Sequence, residues 1–208
     1  MPEPSVTHKI STARPTSGTP ISASRVSNGR RLNSNASARC QIFIARKGGI
    51  AEEEGEFVLR NREFFLFPSY AHQSRDSLKP SVHLEFDLIQ ADEPADGKIH
   101  LRHFARVTDE IRVTHPEILG RLDSFHIWDR KLLEGRFEWG SEKALTIVVL
   151  RVYELPQEIR LPMRPEYGGC KSWVTTEDLL RVPPGLKPVL SDNEFQQRRN
   201  ALLAQFSY

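Results

Sequence analysis

A single α+β domain is the fold class this sequence predicts. Its expected form is a mainly antiparallel, strongly bent sheet or small barrel, with a few short helices and a C-terminal helix. Three observations predict it. From Cys40 onward, β-branched and aromatic runs of four to nine residues are punctuated by Gly and Pro, the pattern of short strands and turns. The helical signals between them are short, and the one sustained helical stripe lies at the C-terminus. No linker inside 40–208 is long enough to separate two domains, and 208 residues suit one domain with an extension.

Residues 1–39 are rich in Ser, Thr, Pro, Arg, Asn and Ala. Their few aliphatic residues, Ile10, Ile21, Val26 and Leu32, recur at no structural period. Such a segment buries too little apolar area to offset its ordering entropy and reads as a disordered tail. A transit peptide and an over-extended gene start fit the same acid-poor composition. The domain proper is expected over 40–208.

Gln41-Ile42-Phe43-Ile44-Ala45 reads as a buried strand stopped by Gly48-Gly49. Phe57-Val58-Leu59 and Phe64-Phe65-Leu66-Phe67 read as hairpin arms around Arg60-Asn61-Arg62, the second ended by Pro68. A short helix is expected over 69–78. The alternation in His83-Leu84-Glu85-Phe86-Asp87-Leu88 predicts a half-buried strand, as does Ile99 to Val113. Pro116 opens a helix through about Leu122, and Asp129 caps another carrying Leu132 and Leu133. Leu145 to Tyr153 is apolar on both faces, as a central strand is. After Pro156 the chain is broken by prolines through Gly185. Ser191-Asp192-Asn193-Glu194 is a capping box for a helix striped by Phe195, Leu202, Leu203 and Phe206.

Charge and cysteine content exclude several classes. The total is +2, but residues 1–39 hold six cations against one acid, a net of +5, which leaves −3 for residues 40–208. Global charge therefore does not mark the domain as a polyanion binder. No stretch approaches the ~18 apolar residues of a membrane helix, so no membrane partner is expected. Cys40 and Cys170 cannot build a disulfide framework or, without CxxC pairs, a zinc site, which points to a reducing, cytoplasmic setting.

Three strings carry a family resemblance: Ala45-Arg46-Lys47-Gly48-Gly49-Ile50, Phe65 through Gln73, and Tyr167-Gly168-Gly169-Cys170-Lys171-Ser172-Trp173-Val174. With His126-Ile127-Trp128, Arg136-Phe137 and Leu150-Arg151-Val152-Tyr153, they resemble the bacterial family catalogued as domain of unknown function 1802, over about residues 41–175. Members of that family begin with an amphipathic segment and a Gly-containing turn, a pattern that residues 1–39 lack. The resemblance implies a domain and supplies no activity. A second, fold-level likeness, in strand progression alone, is to PUA-like barrels, modules that bind RNA or modified bases.

The candidate chemistry is a recognition cleft. Arg46 and Lys47 follow a buried strand, where a turn presents N–H groups and cations to phosphate; the alternative is a glycine turn flanked by solvated cations. Tyr70, His72 and Gln73 follow the strand ending at Pro68: Tyr70 and Gln73 are placed to stack on or hydrogen-bond a planar ligand and His72 to change charge near neutrality, or else the three form a capped turn with His72 satisfied by a backbone carbonyl. Trp128, Lys171 and Trp173 complete the set, and Trp128, Phe137 and Trp139 read either as a stacking platform or as core. The leading expectation is a non-enzymatic module for a phosphate-bearing or nucleic-acid ligand, with no cofactor. The alternatives are a hydrolase using Cys170 with a histidine, a nuclease using Glu85 and Asp87, or a protein-interaction subunit. His100 and His103, three apart on a strand, are expected on opposite faces and share no metal.

Overall fold

The computed structural model describes residues 11–13, 41–47, 61–68, 74–91, 93–167, 173–175 and 180–207. The strands are β1 (Ser11–Ala13), β2 (Phe43–Arg46), β3 (Glu63–Leu66), β4 (Lys98–Val113), β5 (Leu145–Pro162), β6 (Trp173–Thr175) and β7 (Lys187–Pro188). The helices are α1 (His83–Gln90), α2 (Glu117–Arg121), α3 (Arg130–Glu138) and α4 (Asp192–Leu203). The sheet runs β2-β5-β4-β3-β1-β6, with β7 also on β5. Five of these strands, β2, β5, β4, β3 and β7, pair antiparallel with their neighbours; β1 joins β3 in parallel and carries β6 antiparallel. Among the described residues the sheet is open, so the bent-sheet form of the expectation holds. The expected tail lies outside the described residues except for Ser11–Ala13, which is β1.

The β4–β5 ladder is the spine, and two irregularities bend it. Between Val107 and Asp109 one extra residue, Thr108, sits on β4 opposite the step from Val149 to Leu150. A bulge of this kind shifts the side-chain phase by one residue. Ile111 and Val113 accordingly face the helical core, whereas Ala105 and Val107 join the opposite face with Ile44, Phe64, Val148 and Leu150. The second irregularity lies between Leu101 and His103, opposite the stretch from Glu154 to Ile159. It accommodates Pro156, which has no N–H for a regular ladder. The strand expected to end near Tyr153 thus continues to Pro162.

The four helices pack on one sheet face. Phe86 of α1, Ile118 and Leu119 of α2, Leu133 and Phe137 of α3, and Phe195 and Leu202 of α4 meet Phe43, Ala45, Leu145, Ile147 and Val149 in one core. Local chemistry sets the helix starts. Asp129 Oδ1 accepts from the Lys131 amide at 2.9 Å. Ser191 and Glu194 form the reciprocal capping box, with Glu194 N to Ser191 Oγ at 3.3 Å and Ser191 N to Glu194 Oε2 at 3.0 Å.

A further segment differs from its sequence expectation. Residues 83–88 are not a strand but most of α1, entered through a 3-10 turn that Pro80 opens. The alternation misled because Leu84 and Leu88 are not core positions. They are 72% and 41% exposed, and only Val82 and Phe86, one helical turn apart, are buried. The arm expected at 57–59 lies outside the described residues. Of the short helix expected over 69–78, only the 3-10 turn Arg75–Ser77 falls within them.

Candidate functional site

The end of β2 places Arg46 and Lys47 against α3. Arg46 pairs in register with Thr146 and is 4% exposed, so its charge is held inside the domain. The Lys47 ammonium donates to the carbonyl oxygens of Phe137, at 2.9 Å, and Glu142. Lys143 donates to the Glu138 carbonyl, and the Trp139 amide to the Gly135 carbonyl at 3.0 Å. The Phe137 and Glu138 carbonyls are among those that a helix end leaves without internal partners, at the negative pole of its dipole, and Glu142 lies just beyond the helix. Lys47 is therefore a C-terminal cap of α3 supplied from a strand. Burial, followed by the charge of Lys143, lowers its pKa.

Trp128 is inside the core, 1% exposed, with its indole edge-on to Phe43 at 5.7 Å and its ring 5.4 Å from His126. Phe137 is buried as well, while Trp139 is 53% exposed. The segment is tied to β2 through Gln41, whose amide accepts from Ile127 N at 3.1 Å and donates to Phe43 O at 2.7 Å. Lys79 donates to the His126 carbonyl at 3.1 Å. Burial, reinforced by the charge of Lys79, lowers the His126 pKa to about 4.

Tyr70, His72, Gln73, Cys170 and Lys171 lie outside the described residues. Trp173 belongs to β6, opposite Ala13. Glu85 and Asp87 sit on α1 rather than on a strand. Two residues apart on a helix are about 200° apart around its axis, and Asp87 is bonded to Arg75 Nε at 3.1 Å, so the two carboxylates do not form a pair. Among the described residues, no group of three His, Cys, Asp or Glu side chains could hold a metal ion. His100 is bonded between Asp96 and Glu158, whereas His103, 8% exposed, has its pKa lowered to about 4 by burial and by Arg102.

The structure assembles a different constellation across β4, β5 and α4. The Arg106 guanidinium lies 5.8 Å from the Phe104 ring centroid and 5.3 Å from that of Tyr153. The Arg151 guanidinium lies 5.8 Å from the Tyr153 ring centroid and 4.8 Å from that of Phe195. The result is a ladder, Phe104–Arg106–Tyr153–Arg151–Phe195, in which cations alternate with π faces. Glu63 pairs with Arg106 Nε at 2.8 Å and Asp192 with Arg151 at 2.7 Å. One turn beyond Phe195, Arg199 grips Asp109 through two nitrogens, one of them Nε at 2.7 Å. Arg106 is 48% exposed, and Arg151 is buried.

Sequence reasoning missed this ladder, although half of its signal was present. Phe104 and Arg106, and Arg151 and Tyr153, are each two apart on a strand and so share a face. Their juxtaposition depends on the β4–β5 register, in which Phe104 opposes Tyr153 and Arg106 opposes Arg151.

Among the described residues, no helix is long and apolar enough to cross a membrane. No curated protein and no solved structure matches the chain. A family model does match, over residues 38–201, from just before β2 almost to the end of α4. The expected resemblance thus extends further along the chain than the strings that carried it, and the chain belongs to the family described as Domain of unknown function (DUF1802).

Proposed function

We propose that the domain is a recognition module for a phosphate-bearing ligand, a polynucleotide first among them, and that the ligand meets the arginine–aromatic ladder at its exposed member, Arg106. The observation that carries this reading is Arg106. Phe104 and Tyr153 flank its guanidinium, Glu63 engages Nε, and the group is nearly half exposed. A guanidinium held in this way offers its remaining N–H edge to an anion, and a planar fork suits phosphate oxygens better than a point charge does. Stacking on two rings lowers the entropy that a free arginine would lose on binding. Arg106, Arg151 and Arg199 are paired with Glu63, Asp192 and Asp109, and Arg62 adds a fourth positive charge near Asp109, so cations outnumber carboxylates in this group although residues 40–208 carry a net −3.

The test is fluorescence anisotropy of labelled single-stranded RNA with the full-length chain and its Arg106→Ala variant, from about 50 to 200 mM salt. The cationic N-terminal segment is identical in both proteins, so their difference isolates the ladder. Arg106→Ala should weaken binding and flatten the log–log salt slope by somewhat less than one unit, the share of one phosphate contact. Competition separates the sources: unlabelled RNA displacing the probe where inorganic phosphate does not identifies a polynucleotide site. Equal affinity and equal slope for both proteins would remove the ladder from the binding surface.

A further inference from the structure

Trp139 closes α3 with a large aromatic ring that the core does not use. Phe137, two residues earlier, enters the core, while Trp139 is 53% exposed. A ring of this size stabilises a fold through the ~150–250 Å² that it buries, and about half of that is forgone here. The turn that carries it is nonetheless held from three sides. The Trp139 amide donates to the Gly135 carbonyl at 3.0 Å. Lys47 donates to the carbonyls of Phe137, at 2.9 Å, and of Glu142, bridging the turn from β2. Lys143 donates to the Glu138 carbonyl and lies 3.2 Å from Glu138 Oε2. Between these ties Gly140, at φ +76°, reverses the chain. Arg112 pairs with Glu142, and Arg136 stands one helical turn before Trp139. Around this turn Lys47, Arg112, Arg136 and Lys143 thus outnumber Glu138 and Glu142 by two.

We infer that Trp139 is a base-stacking contact for a single-stranded polynucleotide, whose phosphates meet the cations of the turn. The inference rests on the reading of the domain as a polynucleotide module and gives it a second point of contact. Arg46 and Thr146 align with Arg112, six residues along β4 from Arg106, so the turn is separate from the arginine ladder. Every unpaired base has a π face, and an exposed indole beside cations suits a chain in which planar bases alternate with negative charge. A ring carried by a turn that is already fixed loses little freedom when a base stacks on it. An apolar protein surface would match the ring and leave the excess of cations without a counterpart.

The experiment measures anisotropy of labelled oligouridine of about 12 nucleotides, a length within single-strand site sizes, against the full-length chain. Trp139→Ala, Trp139→Tyr and Arg106→Ala are compared with the wild type. The tie from residue 139 to Gly135 is made by the main chain, so these side-chain changes leave the end of α3 in place. Trp139→Ala should weaken binding about fivefold or more, the loss of one stacked base, with the log–log salt slope unchanged because stacking releases no counterions. Trp139→Tyr should restore most of the affinity. Weaker binding with Trp139→Ala but not with Arg106→Ala would keep the stacking contact and remove the ladder. Wild-type affinity in Trp139→Ala, with Arg106→Ala still weakened, would overturn the stacking contact and leave the ladder standing. No binding of oligouridine by the wild type would overturn both. A wild type that self-associates in sedimentation while Trp139→Ala stays monomeric would put a protein surface on the ring and overturn the inference as well.

Discussion

His103 and His126 should make the domain acid-labile well above the pH at which its carboxylates protonate. Both rings are buried, 8% and 4% exposed, and both are held near pKa 4 in the folded chain against an ordinary value of 6.5. Between those two values the unfolded chain binds protons that the folded chain does not. Stability therefore rises with pH in that interval: it is fully present above about 6.5 and is lost as pH falls toward 4. Worked through, the shift amounts to roughly 2 kcal/mol per histidine between pH 7.5 and 5, or about 4 kcal/mol for both. That is a large part of the ~5–15 kcal/mol total expected of a domain. The carboxylates with lowered pKa, Asp96, Asp109 and Glu158, act in the same direction but only below their ordinary range. The assay is urea unfolding at half-unit steps from pH 7.5 to 5, on the wild type and on the His103→Gln and His126→Gln variants. Each substitution should remove about half of the pH slope, roughly 1 kcal/mol per unit near pH 5.5, whatever it does to stability at pH 7.5. Ring C–H titration by NMR gives an independent reading if a variant folds poorly. A flat stability profile from pH 7.5 to 5, or a ring at either position titrating near 6.5, would refute the reasoning.

Two further outcomes follow from single contacts. Lys47→Met keeps the aliphatic stem but removes the cap from α3, and should cost about 1–2 kcal/mol in denaturant unfolding, more than an exposed lysine would; an unchanged midpoint would show that the capping bonds contribute nothing. A double-mutant cycle on Arg199→Ala and Asp109→Ala should give a coupling of roughly 1–2 kcal/mol at pH 7, since the bond is bidentate and the side chains are only 28% and 16% exposed. The bond from Arg199 lowers the Asp109 pKa even though burial opposes it, so this coupling should persist above the ordinary carboxylate pKa and fade as pH falls through the folded value; a coupling near zero at pH 7 would contradict it.

The sequence by itself determined the features whose physics is local. The capping box at Ser191 and Glu194, the Asp129 cap, the Pro116 helix start and the doubly apolar run from Leu145 are read from residues within four positions of one another. The family membership was legible for the same reason, because it rests on contiguous strings. The tertiary structure alone decided the rest, since each case turns on a partner far away in the chain. Residues 83–88 alternate like a strand, yet they become helix because Val82 and Phe86 find the core while Leu84 and Leu88 do not. Arg46 and Lys47 look like a solvated pair beside a glycine turn, until the C-terminus of α3 and the turn after it, some ninety residues later, present the Phe137 and Glu142 carbonyls to Lys47. Trp128 and Trp139 have similar surroundings in sequence, and only the packing of α3 against β2 sends one inward and leaves the other exposed. The arginine ladder needs the register of β4 on β5 and the approach of α4, and no local pattern encodes a register that the Thr108 bulge shifts by one residue.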